Sequence, residues 1–163
     1  MWIVGLAFLV GVVSGLRTFT SVAAVAWGAK LGWIPLESTR LAFIDSTATV
    51  CVASALAFLE WIGDKLSTTP SRTRSLPFFA RIVSGTCCGL CLALAASTDS
   101  HRVPILLLGP LAGAVGSVAG TLGGASLRAV LAQAFGKDLP AALLEDIVAV
   151  GLAVSCIFVR GRL

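Results

Sequence analysis

Val103 to Leu127, VPILLLGPLAGAVGSVAGTLGGASL, runs without a single charge, and its reading decides the fold. A helix rises about 1.5 Å per residue and needs roughly twenty apolar residues to cross a bilayer, so this stretch is long enough to span. Its small residues are periodic. Ala112, Gly116, Gly120 and Gly124 fall every fourth residue, and Gly109 with Gly113 starts a second row. Residues at that spacing share one helix face and let a neighbouring backbone come close, which matters in lipid because the hydrophobic effect does not draw helices together there. Gly11 with Gly15, and Gly85 with Gly89, repeat the spacing. The stretch predicts one member of a tightly packed, all-α, polytopic membrane helix bundle.

Composition extends that reading to the rest of the chain. Of 163 residues 57% are hydrophobic and 12% charged, against about a quarter charged in a typical soluble domain. Mean hydropathy is +0.97. So few charges cannot give a water-facing surface to a core of this size, which argues against a soluble enzyme. Length allows one integral membrane domain over residues 1–163. The formal net charge of +4 does not imply nucleic acid, because the basic residues sit between apolar segments and form no aromatic-interleaved patch. They read as topology determinants and headgroup contacts, with the lipid bilayer as partner.

Five further apolar stretches flank the first: Trp2 to Leu16, Thr18 to Ile34, Leu41 to Gly63, Ile82 to Ser97 and Ala141 to Val159. The opening residues lack a basic n-region and are read as retained rather than cleaved. Trp2 to Leu16 is short for a span. If it and Thr18 to Ile34 both cross, there are six spans; if they form one broken or re-entrant unit, there are five. The polar loop 64–81, with Pro70, Pro77 and the basic residues Lys65, Arg72, Arg74 and Arg81, is the best cytoplasmic candidate. Alternating crossings then put Arg160 and Arg162 outside, against the positive-inside bias. A weak duplication is also visible: Gly15-Leu16-Arg17 and Ser126-Leu127-Arg128 both end Gly-rich stretches, and Glu60 and Glu145 both follow Leu.

Charges at membrane depth are the informative residues, since each is costly unless paired or wet. Arg17 interrupts an apolar run from Trp2 to Ala29. Glu60 and Asp64 lie four apart on one helical face with Lys65 adjoining, and Glu145 and Asp146 enter the last span together. With Arg128 they all fall toward the side of the basic loop. The expected arrangement is a buried network in which Arg17 and Arg128 compensate Glu60 and Glu145, serving a solute or proton pathway; an interfacial salt-bridge cluster fixing helix register is the plainer alternative. GLRTFTS, Gly15 to Ser21, including Thr18 and Thr20, can satisfy an opened helix and turn amide dipoles toward an anion or ion. Asp45 in Asp-Ser-Thr reads as a helix N-cap.

The cysteines carry less. Cys88-x-x-Cys91 has metal and redox spacing, but no second pair completes a four-ligand site, and His101 lies in the turn opposite the basic loop. Cys51, Cys87, Cys88, Cys91 and Cys156 read as small apolar residues. No phosphate-binding loop, nucleophile elbow or zinc-binding helix motif is present. The sequence implies no cofactor and no metal.

Gly15-Leu16-Arg17-Thr18-Phe19-Thr20, EWIGDKL at Glu60 to Leu66, TPSR at Thr69 to Arg72 and LEDIV at Leu144 to Val148 together resemble a bacterial family of small integral membrane proteins classed as a domain of unknown function. The family pattern has proline where this chain has Ser21 and Ser67. The resemblance implies a multi-span membrane domain, a bacterial inner membrane and a shared site built from Arg17, Glu60, Asp64, Lys65, Arg72, Glu145 and Asp146. It implies no activity. Three functions are compatible: a transporter or channel-like protein for an ion, a small solute or a lipid headgroup; a structural or accessory subunit in a homo-oligomer or larger membrane complex; and, last, an enzyme acting on lipid, for which no nucleophile–base pair is recognisable.

Overall fold

The computed structural model describes residues 2–64, 75–96 and 102–162. Among them the structure is helical: α1 (Trp2–Leu16), α2 (Thr18–Lys30), a 3-10 turn (Ala42–Asp45), α3 (Thr47–Gly63), α4 (Ser75–Ala96), α5 (Arg102–Phe135) and α6 (Asp138–Arg162). Three of these, α4, α5 from Val103, and α6, are long and apolar enough to cross a membrane. The chain is a helical membrane protein.

Several element boundaries differ from the sequence expectation for one physical reason. Pro77, Pro104 and Pro140 each sit at the third residue of a helix. Proline is tolerated in a first turn because the amide it lacks has no partner there. Read as loop punctuation, Pro77 and Pro140 hid the true starts of α4 and α6. The basic loop therefore does not reach Arg81, which lies inside α4 and is buried. Lys65, Arg72, Arg74, Ser67 and His101 lie outside the described residues. Asp45 is not a cap either: Ser46 is, its Oγ accepting the Thr49 amide at 3.1 Å. The expected Thr18–Ile34 helix ends at Lys30, and Gly32 (φ +74°) turns the chain so that Ile34 and Leu36 fold back into the core.

The glycine rows are spent inside the molecule. A Cβ at Gly116 or Gly120 would overlap the carbonyl oxygens of Phe8 and Val12 on α1. One at Gly113 would overlap that of Gly85 on α4, while one at Gly11 would overlap the Gly113 carbonyl in turn. Helices α1 and α4 thus clamp α5 at backbone distance. Helix α3 is held differently: it packs against α2 and the 3-10 turn, and only Val50, Ala53 and Ala57 on it are buried.

The two ends of the bundle differ in character. At one end Ile3, Leu6, Val25, Ile34, Leu92 and Ile157 belong to a single buried apolar cluster. There Arg160 donates to the Ala95 carbonyl at 2.9 Å and lies over the Trp2 ring. An arginine satisfying a late carbonyl of α4 has a structural reason to be at this end that the positive-inside rule does not supply. The other end holds the ions.

Candidate functional site

The chain breaks helix at Arg17, whose backbone is extended (φ −142°, ψ 108°) between α1 and α2. A break exposes unpaired carbonyls on one side and unpaired amides on the other, and in an apolar bundle both must find partners. They do. On the amide side Glu60 of α3 accepts from Thr18 N at 2.8 Å through one carboxylate oxygen and from Phe19 N at 2.9 Å through the other. An anion at a helix N-terminus also meets the positive end of the helix dipole. On the carbonyl side the Arg81 guanidinium donates to the Gly15 oxygen and, at 2.8 Å, to that of Leu16. Thr121 Oγ1 reaches the Gly15 oxygen at 3.2 Å. Arg81 Nη2 stands 3.9 Å from Glu60 Oε1. One carboxylate and one guanidinium thus splint the two halves of the break with charges of matching sign.

The Arg17 side chain is fully buried. Its Nη1 lies 2.9 Å from Asp64 Oδ2 and its Nη2 2.6 Å from Asp146 Oδ1. Asp64 Oδ2 also accepts from Arg128 Nη1 at 2.5 Å, so one oxygen is shared by two guanidiniums. Arg128 forks onto Asp138 through Nε at 2.9 Å and Nη2 at 2.6 Å, and its Nη1 stands 3.7 Å from Glu145. The network therefore joins the α1–α2 break to α3, α5 and α6. Arg81 and Asp146 lie six and eight residues into their helices, and Arg128 seven from the end of α5. At about 1.5 Å per residue these three sit roughly two turns inside the ends of α4, α6 and α5, while Asp138 is the exposed first residue of α6.

The structure brings Arg17, Thr18, Glu60, Asp64, Arg128, Glu145 and Asp146 together around one break, and places Thr20 beside it, accepting from Trp61 Nε1 at 3.1 Å. Lys65 and Arg72 fall outside the described residues. The pairing differs from expectation: Glu60 faces backbone amides and Arg81, not Arg17, and Arg17 takes Asp64 and Asp146 instead. The reason is the break itself, whose free amides give a carboxylate a better-matched site than a shared guanidinium. The anion expected at the opened helix is thus one of the protein's own side chains. The two Leu-Arg repeats diverge, since α5 runs unbroken through Arg128.

Sequence reasoning missed Arg81 and Asp138. For Arg81 a signal existed: it precedes Gly85 and Gly89 by four and eight residues, so it shares the face that packs into the bundle. Three hydroxyls were also unforeseen. Ser14 donates to the Arg81 carbonyl at 3.0 Å, and Ser21 and Ser84 both donate to the Thr18 carbonyl, at 2.8 and 3.1 Å. Ser21, where the family pattern has proline, lies within the regular α2. Cys88 and Cys91 are buried free thiols in α4. Among the described residues no group of three or more His, Cys, Asp or Glu side chains is arranged to hold a metal.

Residues 4–159 match the model of a protein family described as a domain of unknown function, DUF4126. Comparison with curated proteins and with solved structures returns no match.

Proposed function

Because this chain belongs to the DUF4126 family, whose description names no activity, we propose a function from the site alone: a small membrane transporter or channel-like protein that moves an ion, a small solute or a lipid headgroup through the Arg17 network. One observation carries the proposal. A helix is interrupted inside the bundle, Glu60 takes its opened amides and Arg81 its opened carbonyls, and Arg17 and Arg128 hold Asp64 and Asp146 beside it. Broken helices with charged partners at membrane depth are how transporters build sites for ions and polar solutes. The arginines and carboxylates already bind one another and the backbone, an arrangement suited to holding or relaying charge rather than to covalent chemistry.

In this proposal all six helices cross, α1 descending to the break and α2 returning, with the ion-bearing end and the basic segment after α3 facing the cytoplasm of a bacterial inner membrane. The short lengths of α1 and α2, about 20 Å each by helix rise, bring the break inside a hydrocarbon layer of about 30 Å. The alternative, an accessory subunit of a larger complex, would use the glycine faces to pack against a partner. Those faces are taken up by α1, α4 and α5, so the alternative is the weaker reading.

The test is proteoliposome flux, read as collapse of an imposed pH gradient with a trapped dye and as uptake of rubidium. Wild-type protein should speed one of the two over empty vesicles. Glu60→Gln should return that rate to the empty-vesicle level while staying monodisperse, since glutamine keeps one acceptor oxygen for the α2 amides. Wild-type vesicles as tight as empty ones for both would contradict an ion pathway through the network; unchanged flux in Glu60→Gln would remove that carboxylate from the pathway.

A further inference from the structure

The end of the bundle away from the ions is closed by chain that is not helix. After α2 the backbone reverses at Gly32 (φ +74°), and residues 33–36 turn back toward the core. Ile34 and Leu36 are pushed inward, 0% and 1% exposed, whereas Leu31 and Pro35 stay exposed. Gly28 makes the room, since a Cβ there would overlap Ile34 and Ile157. Trp33 stands edge-on to Phe158 of α6, ring centroids 6.1 Å apart. Among the described residues the segment's hydrogen bonds run only to its neighbours in the chain. Gly32 N donates to the Ala29 oxygen at 3.0 Å, and Trp33 N and Ile34 N donate to that of Gly28 at 2.9 and 3.1 Å. Thr39 donates to the Leu36 oxygen through N at 2.9 Å and Oγ1 at 2.8 Å. Its hold on α6 and the buried cluster is side-chain contact.

Helical register puts these side chains in line with the ion network. Ser21, Val25 and Ala29 are buried on α2 at four-residue steps, and Arg81, Ser84 and Cys88 on α4 at steps of three and four. Each set lies on one helix face. On α6, Asp146 belongs to the network, and ten and eleven residues on Cys156 and Ile157 belong to the buried cluster that includes Ile34 and Leu36. Helix α1 packs against α2, α4 and α6, and an open groove beside α2, between α3 and α6, leaves α3 outside. Along this axis the side chains pass from guanidinium through hydroxyl to thiol and alkyl. A hydrophobic constriction stops ions by excluding water until its walls part.

We infer that residues 33–36 are a plug that swings out at Gly32, drawing Ile34 and Leu36 from the cluster and admitting water between α2 and α4 toward the Arg17 network. Glycine suits the hinge because it adopts positive and negative φ about equally readily. Among the described residues, withdrawal breaks no hydrogen bond to α1, α4 or α6 and exposes two aliphatic side chains, so it is a local opening and not an unfolding. The inference deepens the transport reading by giving its pathway an outer gate. It rests on that reading only for what passes once the plug is out.

The test uses the full chain carrying Cys51→Ser and Cys87→Ser. These remove the two exposed thiols and leave Cys88, Cys91 and Cys156, all members of the cluster that the plug completes. In lipid nanodiscs a charged, membrane-impermeant maleimide should modify the three slowly, read site by site by mass spectrometry. Ile34→Ala should speed their modification about tenfold, and Phe43→Ala, on the exposed side of the 3-10 turn, less than about twofold. Trp33→Cys with Gly161→Cys staples the plug to α6. The Trp33 Cβ lies 3.1 Å from where a Cβ on Gly161 would stand, close to the roughly 3.5–4.5 Å that a disulfide spans. Oxidising the staple should slow modification of the three thiols and return proton or rubidium flux in proteoliposomes to the empty-vesicle level; reducing it should restore both. Size-exclusion profiles screen each variant for folding, and the staple decides the matter if Ile34→Ala does not fold. Modification by the folded Ile34→Ala variant no faster than by Phe43→Ala would overturn the inference, and so would flux undiminished by the oxidised staple. Thiol modification that the staple controls, with no flux in the wild type, would leave the plug standing and sink transport. Flux that ignores the staple would do the reverse.

Discussion

Arg17→Leu should unfold most of the protein in mild detergent, a loss of about 3–5 kcal/mol. The size follows from what is left behind. Arg17 is fully buried and holds Asp64 and Asp146, from α3 and α6, against the break between α1 and α2. Removing the guanidinium leaves two carboxylates close together in an apolar bundle without the charge that joined them. Arg128 still contacts Asp64, so α3 should stay tethered while α6 loses its hold on the break. Arg17→Lys keeps the charge but offers one compact ammonium where a planar fork spans two acids, and should fall between wild type and Arg17→Leu. Midpoints of thermal unfolding in bicelles check the order. A leucine variant as stable as wild type would mean that the ions are solvated independently and that the network holds nothing.

The second large effect lies at the glycine seam. Gly113→Leu should cost about 3 kcal/mol or more, at the upper end of overpacking. Gly113 sits where three helices meet: its own Cβ would overlap the Gly85 carbonyl on α4, and its carbonyl already fills the space a Cβ at Gly11 would need on α1. The obstacles are backbone, so neither can swing aside as a flexible side chain would. In lipid this close approach is a main source of helix association, so parting α4 from α5 removes contacts that nothing replaces. Gly123→Leu is the matched control. Nothing lies within 4 Å of a Cβ there, and leucine is the better helix former by up to about 1 kcal/mol, so that variant should be as stable as wild type or slightly more so. Equal losses in both would show that the seam is loose.

These two predictions separate what sequence showed from what it hid. The seam was visible because a four-residue period of glycine has one geometric meaning in a long apolar helix. The break was visible in part: an arginine after Gly15-Leu16 in an apolar run had to be either a turn or an opened helix. What could not be read was who answers it. Partners for Arg17 come from Asp64 and Asp146, 47 and 129 residues away, and the choice among four nearby carboxylates depends on which of them the free α2 amides claim. Glu60 wins that place because α3 ends beside α2, a fact of packing with no local pattern. Arg81 was hidden by Pro77, which made a helix start look like the end of a loop. The groove beside α2 was invisible for a related reason: it is the space left between α2, α3 and α6, and empty space leaves no periodic mark in a sequence.

Ions in this molecule find one another inside hydrocarbon, around a helix break, and a double-mutant cycle on Arg17→Leu and Asp146→Leu, measured by unfolding in bicelles, probes that pairing without intermediaries. Each single substitution should be strongly destabilising. The double variant should recover about 2 kcal/mol or more of the summed loss, because leucine against leucine leaves no unpaired charge. Losses that add to within about 0.5 kcal/mol would mean the two residues do not interact, and the ion network would not be what holds the break in place.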